Sequence, residues 1–210
     1  MDEDKLNIIS PFGPSIAKVK IPEKIIKILN DHVDEVRNNE KLSKKFDAGK
    51  SLIGNVSQEM LLSQEIIKES GWLAFLAQAT KAWIKNSANK EMTKFNVNSS
   101  WVVSQYINQY NPVHWHNGHI SGAGFLKVPS TFGETFQKDK RNLNGQLTLI
   151  HGQRAFMSDS QYKITPEVGD FYIFPHFLMH TVYPFRDTDE ERRSISFNAS
   201  IDEKIFDVFV

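Results

Sequence analysis

The chain has 210 residues, with 25 basic and 25 acidic side chains that give a formal net charge of +0. This length suits one domain with a sizeable core, so we expect a single domain over residues 1–210. The balanced charge does not favour a nucleic-acid groove or an anionic membrane surface. Cysteine is absent, which excludes disulfides, thiolate metal ligands and a cysteine nucleophile. Any metal must therefore be held by histidine, carboxylate or water.

The N-terminal sequence MDEDKLNIIS lacks a basic stretch followed by an apolar core. No apolar run approaches the ~20 residues that a membrane-spanning helix needs. We therefore expect a cytoplasmic protein that does not act at a membrane.

The N-terminal part, residues 1–95, is predicted to be largely helical after a short extended lead at residues 16–21. Pro22 stands where a first helical residue is often found, and apolar residues at helical spacing predict a helix to about Asn38. A second helix is predicted over residues 58–69, capped by the Ser57 hydroxyl. A third is predicted from Trp72 to Asn86 by its apolar face.

From residue 96 to residue 210 the pattern changes to short β-type runs separated by turn residues. The predicted strands are residues 99–107, 122–128, 146–150, 169–174, 180–183 and 193–199. Such spacing is typical of a β-barrel or β-sandwich. A mainly β core with the N-terminal helical layer packed on one face is the predicted architecture, because each apolar face needs a partner.

Histidines indicate a metal site. His114 and His116 are two residues apart, so in an extended segment both imidazoles point to the same side. His180, which follows a distant apolar run, is the candidate third ligand. Three ligands on one side of a metal, with open positions opposite, is the arrangement of non-haem Fe(II) oxygenases.

A strand near the C-terminus carries a candidate anion site. Alternation along this strand places Arg192, Ser194, Ser196 and Asn198 on one face. The opposite face then carries Arg193, Ile195 and Phe197. An arginine and a serine two residues apart can offer a bidentate fork and a hydroxyl to a carboxylate.

These motifs together resemble a family, the 2-oxoglutarate/Fe(II) oxygenases of phage and marine bacterial genomes, which are relatives of the prolyl 4-hydroxylases. The resemblance runs from Trp101 to Asn198 and rests on order and spacing. Its parts are SW at 100–101, HWH at 114–116, SGAGFLKVP at 121–129, PEVGDFYIFP at 166–175, HTVYP at 180–184 and RRSISFN at 192–198.

The resemblance implies a double-stranded β-helix, or jelly roll, with Fe(II) held by His114, His116 and His180. It implies that Arg192 pairs with the 5-carboxylate of 2-oxoglutarate and that Ser194 adds a hydrogen bond. Either Tyr106 or Tyr110 corresponds to a tyrosine that contacts this co-substrate in relatives, although each could equally be a packing aromatic. The implied activity is an O2-dependent hydroxylation of an unactivated C–H bond, with release of succinate and CO2.

One position departs from the wider superfamily, which places Asp or Glu two residues after the first histidine where this chain has His116. Alternatives are His116 as first ligand followed by Gly118, as in halogenating relatives, and His119 as a substitute ligand. Rival functions are a cupin-like dioxygenase or isomerase that needs no 2-oxoglutarate, and a non-catalytic jelly-roll binding module. The substrate, a small molecule or a peptidyl residue, and the oligomeric state, which includes a dimer, stay open.

Overall fold

The computed structural model describes residues 6–9, 13–49, 53–137 and 139–207. The elements of the N-terminal part are β1 (Leu6–Ile9), β2 (Ile16–Lys20), α1 (Glu23–Asn38), α2 (Glu40–Phe46), β3 (Gln58–Leu61), α3 (Gln64–Glu69) and α4 (Trp72–Ala88). The remaining elements are β4 (Phe95–Gln105), β5 (Asn111–His114), β6 (Ile120–Lys127), β7 (Leu147–Ile150), β8 (Gln161–Ile164), β9 (Asp170–Pro175), β10 (Met179–Val182), β11 (Arg192–Ile201) and α5 (Glu203–Phe206).

Two antiparallel sheets form the jelly roll. The large sheet has seven strands in the order β1-β2-β9-β6-β11-β4-β3, and the small sheet has four in the order β5-β10-β7-β8. Apolar side chains from both sheets meet between them, among them Phe125 and Phe174 from the large sheet and Leu147 and Leu149 from the small one. The predicted mainly β fold is confirmed.

The helices cover the outer face of the large sheet. Leu29 and Val33 of α1 and Trp72 of α4 pack in one apolar cluster with Ile195 and Phe197 of β11. These β11 residues belong to the face predicted to lie opposite Arg192 and Ser194, so β11 separates a helix-covered core from the interior of the jelly roll. The predicted helical layer on one face is confirmed.

The helix predicted over residues 58–69 is wrong in its first half. Residues Gln58–Leu61 form β3, an edge strand that pairs with β4 from Ser104 to Trp101. The helix α3 starts later, at Gln64, where the Ser63 hydroxyl accepts from the backbone N–H of Ile66 at 3.3 Å. Ladder hydrogen bonds along β4 and burial of this segment override its local helical pattern.

The extended lead predicted at residues 16–21 is confirmed as β2, and β1, β2 and β3 all join the large sheet. The helix α2 was not predicted from the sequence; it begins after Asn39, whose side chain accepts from the backbone N–H groups of Lys41 and Leu42. Within the described ranges, no helix is both long enough and apolar enough to cross a membrane.

Candidate active site

A cavity of about 290 Å³ opens between the two sheets. Its apolar wall includes Trp101, Val103, Phe125, Leu147 and Val182. Its polar lining includes all three predicted metal ligands and the predicted anion-binding face of β11, which comprises Arg192, Ser194, Ser196 and Asn198. One cavity therefore contains both sets of residues that the sequence singled out.

The three histidines meet at one side of this cavity. His114 ends β5 and is the register partner of His180 on β10, while His116 follows two residues later. Their potential ligand nitrogens all lie within 4.8 Å of one another. The Nε2 atoms of His116 and His180 are 3.1 Å apart, which is close enough for both to bind a single ion.

Backbone carbonyls set the orientation of two of the rings. His114 Nδ1 lies 2.7 Å from the carbonyl oxygen of Pro112, and His180 Nδ1 lies 2.9 Å from that of Leu178. Each carbonyl can only accept, so each Nδ1 carries the hydrogen and each Nε2 keeps its lone pair. A backbone acceptor on the far nitrogen is the usual support of a metal-binding histidine.

Burial keeps these imidazoles neutral. It lowers the pKa of His116 to about 4 and that of His180 to about 3, with smaller contributions from the neighbouring histidines, and it also lowers the pKa of His114. Neutral imidazoles are the form that binds a metal. Three such nitrogens without a thiolate suit an ion such as Fe(II), so the donor set fits the metal that the resemblance implies.

His119 lies outside the three-histidine cluster. Its Nδ1 accepts a hydrogen bond from the backbone N–H of Ile201 at 3.0 Å, and its ring stacks on Phe206 with centroids 3.9 Å apart. The structure therefore gives His119 a local packing contact and does not bring it to the candidate metal site.

Arg192 is a buried cation without an anionic partner. Its side chain donates to the carbonyl oxygen of Gly145 (3.1 Å), to Gln105 Oε1 (3.2 Å) and to Ser194 Oγ (3.3 Å), and it is 1% exposed. No carboxylate of residues 6–9, 13–49, 53–137 or 139–207 forms an ion pair with it. Burial alone lowers the pKa of Arg192 to about 9, so the guanidinium remains charged at neutral pH and can bind an incoming anion.

Arg193, the next residue, has the opposite environment. It points to the helical layer, where it donates to Asn30 Oδ1 at 3.0 Å and to Glu191 Oε2 at 2.8 Å and pairs with Asp34. Its charge is therefore neutralised within the protein. Of the two adjacent buried arginines, Arg192 is the one available to a ligand.

Neither predicted tyrosine lines the cavity. The Tyr106 hydroxyl accepts from Arg37 Nη2 at 2.8 Å on the helical side of the sheet. Tyr110 is 40% exposed and lines a separate surface groove. The position beside Arg192 is taken instead by the amide of Gln105, which the sequence analysis did not single out.

Glu59 of β3 is a second residue that the sequence analysis missed. It lines the cavity and is 2% exposed, and its Oε2 has no hydrogen-bond partner. Burial, with a smaller effect from the negative charge of Asp47, raises the pKa of Glu59 to about 7. No sequence signal could reveal this residue, because the segment has the pattern of a surface helix.

Residues 99–198 match a family model described as "Putative 2OG-Fe(II) oxygenase". No curated protein sequence matches the chain. Among solved structures, a prolyl-4-hydroxylase from Pseudomonas putida is similar, with 14% identity, a TM-score of 0.53 and coverage of 89% of this chain and 91% of that one. A viral collagen prolyl hydroxylase from Paramecium Bursaria Chlorella virus-1, in complex with 2-oxoglutarate, has 14% identity and a TM-score of 0.52 over 88% and 94% of the two chains.

HygX from Streptomyces hygroscopicus, solved with nickel, 2-oxoglutarate and hygromycin B, has 8% identity and a TM-score of 0.58 over 88% of this chain and 82% of that one. At these identities the likeness shows the shared jelly-roll fold. The family match spans the three histidines and the buried arginine. Over residues 99–198 the chain is therefore similar to 2-oxoglutarate/Fe(II)-dependent oxygenases.

Proposed function

We propose that this protein is a 2-oxoglutarate/Fe(II)-dependent oxygenase that hydroxylates a C–H bond of its substrate, with His114, His116 and His180 as iron ligands and with Arg192 and Ser194 as the anchor of 2-oxoglutarate. One observation carries the proposal. The same cavity contains three neutral imidazoles with converging nitrogens and a buried guanidinium with no anionic partner among the described residues.

The histidines would hold the metal through nitrogen lone pairs fixed by the protein. The carbonyls of Pro112 and Leu178 hold the rings of His114 and His180 in the tautomer that leaves Nε2 free. His116 in the place of the more usual carboxylate leaves the site with one less negative charge. This difference is expected to alter the redox tuning of the bound iron.

Arg192 would hold the co-substrate through its positive charge and through the fixed orientation of its guanidinium. Gln105, Ser194 and the carbonyl of Gly145 fix the guanidinium of Arg192 before any ligand arrives. A carboxylate can therefore be bound without a further cost of ordering this side chain. The cupin-like and binding-module alternatives leave this buried, preorganised cation without a purpose.

Iron, when bound, supplies the activation of O2 that is coupled to conversion of 2-oxoglutarate into succinate and CO2. One oxygen atom of O2 then enters succinate and the other enters the substrate, so that R–H becomes R–OH. The apolar wall of Phe125, Leu147 and Val182 limits access of water to this reaction. A cavity of about 290 Å³ suits a small molecule or one side chain of a peptide.

Both substrate classes have precedents among the similar structures. HygX was solved with the small molecule hygromycin B, and a prolyl hydroxylase from Trichoplax adhaerens was solved with a peptide fragment. Because the cavity of this chain has room for either kind of group, we propose a small-molecule or peptidyl substrate.

The test measures succinate formed from 2-oxoglutarate by the Fe(II)-loaded protein in air, together with bound iron. We expect turnover in the wild-type protein, loss of iron and turnover in His180→Ala, and loss of turnover with retained iron in Arg192→Gln. His119→Asn is the matched control, because this histidine lies outside the cluster, and it should keep both properties. Retained turnover in Arg192→Gln, or iron lost equally in His119→Asn, would contradict the assignment.

A further inference from the structure

Glu59 is a buried carboxyl group that the proposed chemistry does not use. It is 2% exposed, it lines the cavity and its Oε2 has no hydrogen-bond partner among the residues that the structure describes. Burying an unpaired carboxylate is costly, and proteins rarely keep one without a function. Among the described residues that line the cavity, it is the only acidic one.

The sheet register separates Glu59 from the anion site. Val103 on β4 is the register partner of Ser194 on one side and of Glu59 on the other. The three residues therefore form one row across the sheet, with Ser194 and Glu59 roughly 10 Å apart at two strand spacings. Glu59 also lies outside the group of side chains that can hold the metal.

A carboxylate would repel the dianion 2-oxoglutarate, so Glu59 belongs to a different part of the cavity. Its end of the cavity faces the edge of the large sheet, next to Asn111 and the loop at Gly54. A Cβ atom at position 54 would lie 2.6 Å from Glu59 Oε1 and 3.0 Å from Asn111 Oδ1. Gly54 therefore packs closely against this end of the cavity and brings Glu59 and Asn111 next to one another.

Both polar groups at this end can accept hydrogen bonds and lack a donor. Within the described part of the chain, Asn111 Oδ1, like Glu59 Oε2, is buried without a hydrogen-bond partner. A ligand that satisfies them must bring N–H or O–H donors, and a positive charge gives the strongest pairing with a carboxylate. The one cation of the described lining, Arg192, already donates to the carbonyl oxygen of Gly145 and to Gln105.

We propose that Glu59 binds a cationic nitrogen group of the substrate, an ammonium or a guanidinium, and that this oxygenase therefore acts on a basic substrate. The inference rests on the proposed function, since it assigns the substrate end of the same cavity. Glu59 is the specificity-determining residue, and Asn111 adds a hydrogen bond to the same group.

The test measures binding of matched probes to the Fe(II)- and 2-oxoglutarate-loaded protein without oxygen at pH 8. Butylamine, benzylamine and butylguanidine are compared with their neutral counterparts butanol, benzyl alcohol and butylurea by ligand-observed NMR titration. We expect the cationic member of at least one pair to bind about tenfold or more tightly than its neutral counterpart, as a charge-assisted hydrogen bond implies. Glu59→Gln should abolish the preference, and Glu69→Gln, an exposed position on α3, should keep it.

Different results would contradict the role of Glu59 and the proposed oxygenase function. Iron and 2-oxoglutarate binding should be unchanged in Glu59→Gln, so loss of either would show that Glu59 serves the metal centre and would overturn the inference. Equal binding of every cationic probe and its neutral counterpart, or a preference that survives in Glu59→Gln, would also overturn it. Failure of the wild-type protein itself to bind iron and 2-oxoglutarate would instead contradict the proposed function.

Discussion

Replacement of the buried Glu59 by glutamine should change the pH dependence of stability in the metal-free protein. Burial and the charge of Asp47 raise the pKa of this carboxyl from 4.5 to about 7. The folded state thus binds the proton more tightly than the unfolded state. Well below pH 4.5 the protonated Glu59 side chain does not reduce the free energy of unfolding. As the pH rises from 4.5 towards 7, ionisation of this buried carboxyl reduces the free energy of unfolding. With 1.36 kcal/mol for each pKa unit, the cost reaches about 3 kcal/mol above pH 7.

Glutamine cannot ionise, so Glu59→Gln should gain stability relative to wild type by about 2.5 kcal/mol between pH 5 and pH 8.5. Urea unfolding of both proteins at a series of pH values measures this difference. The histidines of the metal site also titrate, but they do so equally in both proteins and cancel in the difference. Glu69→Gln is the exposed control and should show no such trend. If the difference in the free energy of unfolding between Glu59→Gln and wild type does not vary with pH, the reasoning is refuted.

Three further predictions concern the sheets and the metal site. Ser100→Ala should lower the free energy of unfolding by about 1–3 kcal/mol in urea titrations, because Ser100 Oγ accepts the buried indole N–H of Trp72 at 3.0 Å. Gly124→Ala should cost about 1–3 kcal/mol or more in the same assay, since a Cβ there would lie 2.6 Å from the carbonyl oxygen of Asp170 on the neighbouring strand. Fe(II) at a hundred times its Kd should stabilise the protein by about 2.7 kcal/mol, raising the Tm by about 5–10 °C in anaerobic calorimetry, and His180→Ala should remove this shift.

The candidate site was predictable where local periodicity determines geometry. Two histidines two residues apart in an extended segment had to share a side, and alternation along β11 had to separate Arg192 from Arg193. His180 was a candidate for the third ligand from its place after the apolar run, but its pairing with His114 depends on the register of β10 with β5 in the small sheet. The structure brings these residues to one cavity.

The strand and the cavity residues that could not be predicted from the sequence depend on contacts between distant segments. Residues Gln58–Leu61 look helical by composition and become a strand only because β4 offers a free edge. Glu59 acquires its burial and its position opposite Val103 from that pairing. Gln105 is found beside Arg192 only through the register of β4 with β11, and the same register turns Tyr106 away to the helical side.

The central claim is that Arg192 and the three-histidine cluster together bind 2-oxoglutarate on iron. The most direct measurement is an anaerobic titration of 2-oxoglutarate into the Fe(II)-loaded protein, followed by the visible metal-to-ligand charge-transfer band. We predict that the band appears in the wild-type protein, is absent in His180→Ala and requires much more 2-oxoglutarate in Arg192→Gln. Iron binding without any band in the wild-type protein, or a band that is unchanged in Arg192→Gln, would contradict the account.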